Sequence, residues 1–174
     1  MKELDVLKVK AQLLPKCRDI QMGFLTKDNT YKTDDSQGVD DYILQSPEQL
    51  LKSKKGVCWD VVELERDFFE KNKLIHKTYC IIKGNNTDIN HSFLVSKLDN
   101  KYYWIEGSMS NSFGINGPYE NIFELFEDVS SNMSIDYPNE RNLRANVYEY
   151  NKPKYGIDRN TYLNFVRKKL VSII

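Results

Sequence analysis

Cys58 stands where a glycine break meets a helical pattern, in Lys54-Lys55-Gly56-Val57-Cys58-Trp59-Asp60-Val61-Val62-Glu63-Leu64. His91 opens an alternating run, His91-Ser92-Phe93-Leu94-Val95, and Glu106 closes the next one, Tyr102-Tyr103-Trp104-Ile105-Glu106. A thiol at a helix start, an imidazole on one strand and a carboxylate on the next are the parts of a nucleophile, its base and the group that orients the base. A thiol attacks as its thiolate, and a helix N-terminus favours that anion through unpaired N–H groups and the helix dipole. The same amides suit an oxyanion hole. Asp60 opposes the thiolate, because a nearby negative charge disfavours it, so an imidazolium at His91 has to outweigh Asp60.

Whether His91 and Glu106 can meet depends on the turn between them. With Asp99-Asn100 as a two-residue turn, Leu98 pairs with Lys101, Val95 with Trp104, Phe93 with Glu106 and His91 with Ser108. Opposed residues share a sheet face, so His91 and Glu106 become diagonal neighbours, roughly 7–8 Å apart and within reach of a long side chain. A glutamate there can hold the imidazole tautomer. A three-residue loop or a bulge would break the parity.

Each residue also has an ordinary structural reading. A cysteine on the apolar side of a helix packs as a small buried hydrophobe. A histidine at a strand start is solvated or hydrogen-bonded, and a glutamate after an aromatic strand is a surface charge. Trp59 and Trp104 read as core, His76 as a loop residue, and Cys17 and Cys80 as structural. The order of Cys58, His91 and Glu106, their placement on elements and the shared face together favour a site.

The elements that must position them follow from periodicity. Leu4, Leu7, Ala11 and Leu14 predict a helix over residues 3–14, ended by Pro15. Residues 23–41 are polar and predict a long surface loop with one short hairpin. Ser46-Pro47-Glu48-Gln49 is a helix start with a capping box, and Leu50 and Leu51 face the core. The next helix runs from Val57 or Cys58 to about Asn72. Its buried stripe is Val61, Leu64, Phe68 and Phe69, with Glu63, Arg66, Asp67 and Glu70 facing out. Thr78 to Ile82, His91 to Leu98 and Lys101 to Glu106 read as strands, with a turn cluster at Gly84 to Asp88. Gly107 to Gly117 reads as a loop and Pro118 to about Val129 as a helix. A strand over Ala145 to Tyr150 precedes a last helix capped by Asp158, with Tyr162, Phe165, Val166 and Leu170 inward. Helices, then an antiparallel sheet, then helix, strand and helix make an α+β fold. Loops 23–45 and 107–117 are placed to border a cleft, with Asn111, Ser112, Phe113 and Tyr119 as conceivable substrate contacts.

Composition narrows the function classes. The 174 residues fit a single domain over 1–174, and 40 % hydrophobic content with 12 % aromatics can build a core. Lysine plus arginine and aspartate plus glutamate balance at 25 each, which gives no electrostatic reason to expect nucleic acid or an anionic membrane. No apolar stretch approaches the roughly 20 residues that span a bilayer, and the charged N-terminus is unlike a signal peptide, so a cytoplasmic location is the expectation. Three cysteines without a C-x-x-C pair and two histidines without H-E-x-x-H argue against disulfides and metal. No cofactor is required, and no acidic loop of calcium-binding type is present.

Gly56-Val57-Cys58-Trp59-Asp60, then His91-Ser92-Phe93, then Trp104-Ile105-Glu106 resemble the transglutaminase-like superfamily, whose members share a papain-like cysteine-protease core. The resemblance covers roughly residues 46–107. It implies a papain-like or transglutaminase-like core in which the central helix carries the cysteine and packs on an antiparallel β-sheet. It further implies Cys58, His91 and Glu106 as a triad working through an acyl-thioester. The reaction class is a thiol hydrolase or acyltransferase of peptidase, deamidase or transglutaminase type, acting on a peptide or protein substrate. The family's usual third member is Asp, where this chain has Glu106. Papain-like enzymes also use a side-chain donor upstream of the cysteine for the oxyanion, and Gln45, Gln49 and Tyr42 are the candidates. The alternatives are an inactive module of the same fold that binds protein, and an unrelated α+β domain with Cys58 in its core. Oligomeric state is not encoded in any feature of the sequence.

Overall fold

The computed structural model describes residues 3–33, 39–84, 89–136, 138–140 and 143–174. The first helical segment is α1 (Glu3–Lys8), a π-helical turn (Val9–Leu13) and α2 (Leu14–Arg18). It was expected to stop before Pro15, yet it continues to Arg18. Proline lacks an N–H and its ring crowds the carbonyl four residues earlier. The wider π turn just before Pro15 absorbs that misfit. Val9, Leu13, Leu14 and Cys17 are buried beneath this segment.

Strands β1 (Gln21–Met22), β2 (Phe24–Thr26), β3 (Tyr31–Lys32) and β4 (Tyr42–Ile43) follow, with β3-β2-β4 forming a small antiparallel sheet. The hairpin expected in the polar stretch is therefore present, but its first strand is not at the surface: Phe24, Leu25 and Thr26 are all buried. Residues 34–38 of that stretch and 85–88 of the Gly84–Asp88 turn cluster lie outside the described residues.

Helix α3 (Pro47–Ser53) starts with a complete capping box. Ser46 Oγ accepts the Gln49 N–H at 3.2 Å and Gln49 Oε1 accepts the Ser46 N–H at 2.9 Å. The chain then forms β5 (Lys55–Gly56), parallel to β1, and enters α4 (Cys58–Lys71). A Cβ on Gly56 would come within 2.5 Å of Leu50 Cδ1, so only glycine lets α3 close down on the entrance to α4.

Helix α4 is buried on nearly every side, against β6, β7 and α3. Glu63 and Arg66 were expected to face solvent. Both are buried, with Arg66 Nε 3.1 Å from Glu63 Oε2 and Arg66 donating to Thr78 Oγ1 at 2.5 Å. The pairing is what makes burial of two charges tolerable. Glu70 does reach solvent.

The main sheet comprises β6 (His76–Lys83), β7 (Asn90–Leu98), β8 (Lys101–Glu106), β9 (Gly114–Tyr119), β10 (Ala145–Tyr150) and β11 (Leu170–Ile173), in the order β11-β10-β6-β7-β8-β9. Every neighbouring pair in it is antiparallel. On one face Tyr79, Phe93 and Trp104 pack with Leu125, Phe126 and Val129 of α5 (Ile122–Asp136). On the other, Leu94 and Ile105 pack with Val61 and Leu64 of α4, and Cys80 and Ile82 pack with Trp59 and Tyr162 of α6 (Arg159–Val166). The fold is α+β, with the cysteine-bearing central helix packed on an antiparallel sheet.

Several boundaries differ from the sequence expectation. His76 opens β6 rather than lying in a loop, and residues 114–119 form an edge strand instead of a loop and a helix start. Helix α5 begins only at Ile122, where Asn121 Oδ1 accepts the Phe123 and Glu124 N–H groups at 3.0 Å each. Asp158 caps α6 as expected, accepting the Thr161 N–H at 2.8 Å. That helix ends at Val166, and Leu170 is 50 % exposed on an edge strand rather than inward on the helix. Among the described residues no helix is long and apolar enough to cross a membrane.

Candidate active site

The β7–β8 hairpin sets the geometry. Asp99 and Asn100 have φ of 47° and 63°, the left-handed pair that a type I′ two-residue turn demands. Leu98 pairs with Lys101, Val95 with Trp104 and Leu94 with Ile105. His91, Phe93, Trp104 and Glu106 therefore share one face. His91 Nε2 donates to Glu106 Oε2 at 2.7 Å, and the imidazole lies parallel to the Phe93 ring at 6.1 Å between centroids.

Glu106 is gripped from all sides. Its Oε1 accepts the Ser108 N–H at 2.7 Å, the Met109 N–H at 2.7 Å and the Ser108 hydroxyl at 2.9 Å. Its Oε2 accepts the Trp104 indole N–H at 3.1 Å as well as His91. Burial alone would raise the Glu106 carboxyl, but the His91 charge and these donors overturn that and hold it below its ordinary value. Burial alone would lower His91. The Glu106 charge and hydrogen bonds with Cys58 and Glu106 raise it well above the ordinary value instead. The pair is thus an imidazolium and a carboxylate.

Cys58 is the first residue of α4 and is half-buried. With Nε2 committed to Glu106, Nδ1 is the ring nitrogen left for a second partner. Cys58, His91, Ser108 and Met109 line one cleft of about 230 Å³, together with Met22 and Met133. A larger cavity of about 460 Å³, lined by Tyr79, Val95, Tyr102 and Phe126, holds none of Cys58, His91 and Glu106. Among the described residues no cluster of three or more His, Cys, Asp or Glu side chains is arranged to hold a metal ion.

Residues 16–111, from α2 past the loop that grips Glu106, match the family model described as a transglutaminase-like domain. The chain belongs to that transglutaminase-like family. No curated protein matches it.

Within this transglutaminase-like core, Asp60 has a structural task. Its carboxyl is fully buried and accepts the Tyr42 hydroxyl at 2.8 Å, the Gln45 N–H at 2.9 Å and the Val57 N–H at 3.0 Å. It ties the segment before α3 to the first turn of α4. Burial pushes Asp60 up to about 6, against the pull of these donors.

The three oxyanion candidates are engaged elsewhere. Gln45 is fully buried, with Nε2 donating to the Lys55 carbonyl at 2.8 Å and Oε1 accepting from Tyr31 and Ser53. Gln49 is spent in the α3 capping box. The Tyr42 hydroxyl donates to Asp60. None of the three lines the cleft. Nor do Asn111, Ser112, Phe113 or Tyr119: Asn111 donates to the Asn132 carbonyl, Phe113 lies under Arg18, and Tyr119 donates to Asp128. Of the two loops expected at the rim, the 107–117 stretch contributes Gly107, Ser108 and Met109, and the described residues of 23–45 are not among the lining residues.

Asn90 does line the cleft and was not singled out from the sequence. Its Oδ1 accepts the Trp59 indole N–H at 2.7 Å, which orients the amide beside Cys58 and His91. Its position one residue before His91 was the available signal. Cys17 and Cys80 are both buried, as expected of structural thiols, and burial raises each of them.

Proposed function

We propose that this chain is a cysteine-dependent hydrolase or acyltransferase acting on amide bonds of peptides or protein side chains. The observation that carries the proposal is the Glu106–His91 ion pair at 2.7 Å, with His91 lining the same cleft as a half-buried thiol at a helix N-terminus. In the first step Cys58 Sγ attacks the carbonyl carbon and its proton resides on His91 Nδ1. The oxyanion is met by the Cys58 N–H, which has no acceptor within the helix. The Asn90 side chain lines the same cleft.

Collapse breaks the C–N bond as His91 returns the proton to the leaving amine, and an acyl-thioester remains on Cys58. Water then gives hydrolysis or deamidation, and an amine gives transfer. Glu106 stays ionised throughout and holds the imidazole in place. The test is iodoacetamide labelling of Cys58 across pH, with Cys17 and Cys80 as internal controls and His91→Ala alongside. Fast labelling of Cys58 that collapses in His91→Ala supports an activated thiol. Labelling of Cys58 no faster than of the two buried cysteines would sink the proposal.

A further inference from the structure

On the sheet face that carries His91 and Glu106, Phe93 and Trp104 lie under α5. The same face runs on to the end nearest the β7–β8 turn. There Lys77 lies opposite Val95, Tyr79 opposite Glu149, and Lys97 opposite Tyr102. Opposed residues share a face, so these six form a floor. Helix α5 reaches this end through Ile122, Phe123 and Phe126, all in its first two turns. Between floor and helix is the cavity of about 460 Å³. Ile75, 72 % exposed, and Phe123, 55 % exposed, put apolar surface at its mouth.

Size and lining decide what this cavity can hold. Small-molecule sites enclose roughly 300–1,000 Å³ and are lined mostly by apolar and aromatic side chains with a few polar groups. The cleft at Cys58 is half as large, about 230 Å³, and among the described residues the two share no lining residue. The apolar wall is a fixed aromatic cluster: Tyr79 and Phe126 meet edge to face at 5.0 Å, and both pack on Phe93, at 5.9 and 6.3 Å. The polar end has a definite sign. Glu149 accepts from Lys77 Nζ at 2.7 Å, from Lys169 and from the Tyr79 hydroxyl at 3.3 Å. One carboxylate thus serves two ammonium groups, and the Lys77 side chain is still 60 % exposed, with room for a second acceptor.

We propose that this cavity is a second ligand site, which takes a small molecule with an apolar chain or ring ending in a carboxylate. The apolar part lies against Tyr79, Val95 and Phe126, and the carboxylate meets Lys77 at the rim. Binding there needs no reactive thiol, so it stands apart from the chemistry proposed for Cys58.

The experiment titrates the full chain with butanoate, hexanoate, octanoate and octylamine and follows the side-chain NMR signals of Tyr79, Val95 and Phe126. Octanoate gives saturable shifts at these residues. Affinity rises by about fourfold for each methylene buried along the acid series, and octylamine binds more weakly than octanoate. In Lys77→Gln, octanoate weakens by about fivefold, the scale of a partly exposed ion pair, and octylamine loses nothing. No saturable shift with octanoate, shifts that fall on the Cys58 cleft instead, or affinity independent of chain length overturns the site. Equal binding of octylamine and octanoate overturns the carboxylate. Shifts of the same signals on raising protein concentration without any probe would mean that a second copy of the chain covers the cavity, and would overturn the small-molecule reading. Should Lys77→Gln fail to fold, the acid series and octylamine decide on the unaltered protein.

Discussion

The Trp59 indole donates a 2.7 Å hydrogen bond to Asn90 Oδ1, joining the residue after the candidate nucleophile to the residue before the candidate base. It ties the first turn of α4 to the start of β7, so Cys58 and His91 are held in register by their neighbours. Trp59 also stacks on Tyr162 at 4.5 Å, a contact that phenylalanine can largely keep. Trp59→Phe removes the indole donor to Asn90 Oδ1. The expected loss is about 1–3 kcal/mol in urea unfolding, together with slower alkylation of Cys58. An unchanged alkylation rate would mean that the bond serves stability alone.

The sequence resemblance leads one to expect aspartate at the position of Glu106, and the geometry explains how the longer glutamate reaches His91. His91 and Glu106 sit diagonally across the hairpin, so the carboxylate has to cross the gap between them, and Glu106 does so to 2.7 Å. Aspartate is one methylene shorter. Glu106→Asp should therefore lower the rate of thioester formation rather than improve it, by roughly 10²–10⁴-fold given what misplaced catalytic groups cost. Burst kinetics with an activated ester would measure this. A rate equal to or above that of the unaltered protein would mean that the length of Glu106 is not what aims the imidazole.

The hairpin was legible in the sequence because Asp99 and Asn100 both tolerate the left-handed region, and the two-residue turn then dictates which residues share a face. Gly56 likewise marked the start of α4. Glu63 and Arg66 were not legible as buried, because a charged pair one turn apart looks like a solvated helix face until every side of α4 is seen to be covered. Strand β9 was hidden by the turn-like composition of Gly114-Ile115-Asn116-Gly117-Pro118. The Tyr42 hydroxyl is engaged by Asp60 and the Gln45 side chain by Tyr31, Ser53 and Lys55, all distant in sequence, and no local pattern encodes these contacts.

Asp60 makes stability fall as pH rises. Its folded value, about 6, lies above the unfolded value of 3.8, so the folded state binds more protons between the two. Its contribution is intact below about pH 4 and is lost progressively as pH climbs through about 6. A shift of this size corresponds to roughly 3 kcal/mol. Asp60→Asn cannot titrate and should lack this fall, although it gives up the acceptor for one of the three donors. In urea titrations at pH 4, 5, 6 and 7, the advantage of the unaltered protein over Asp60→Asn should shrink by about that amount. A difference that stays flat across the range would show that burial does not control this carboxyl.

Gly107 is required for space rather than for backbone freedom, since its added Cβ would strike Cys17 and Glu65 Oε1, all at 2.8 Å. Gly107→Ala overfills a packed site and should cost about 1–3 kcal/mol. The strain falls on the turn that carries Glu106, so alkylation of Cys58 should slow as well. Cys17→Ala removes the sulfur from that clash. The double variant Cys17→Ala/Gly107→Ala should therefore be more stable than the sum of the two single changes allows, with a coupling of about 0.5–3 kcal/mol in a double-mutant cycle. Strict additivity would place the strain on Cys17 Cβ or Glu65 Oε1 rather than on the sulfur.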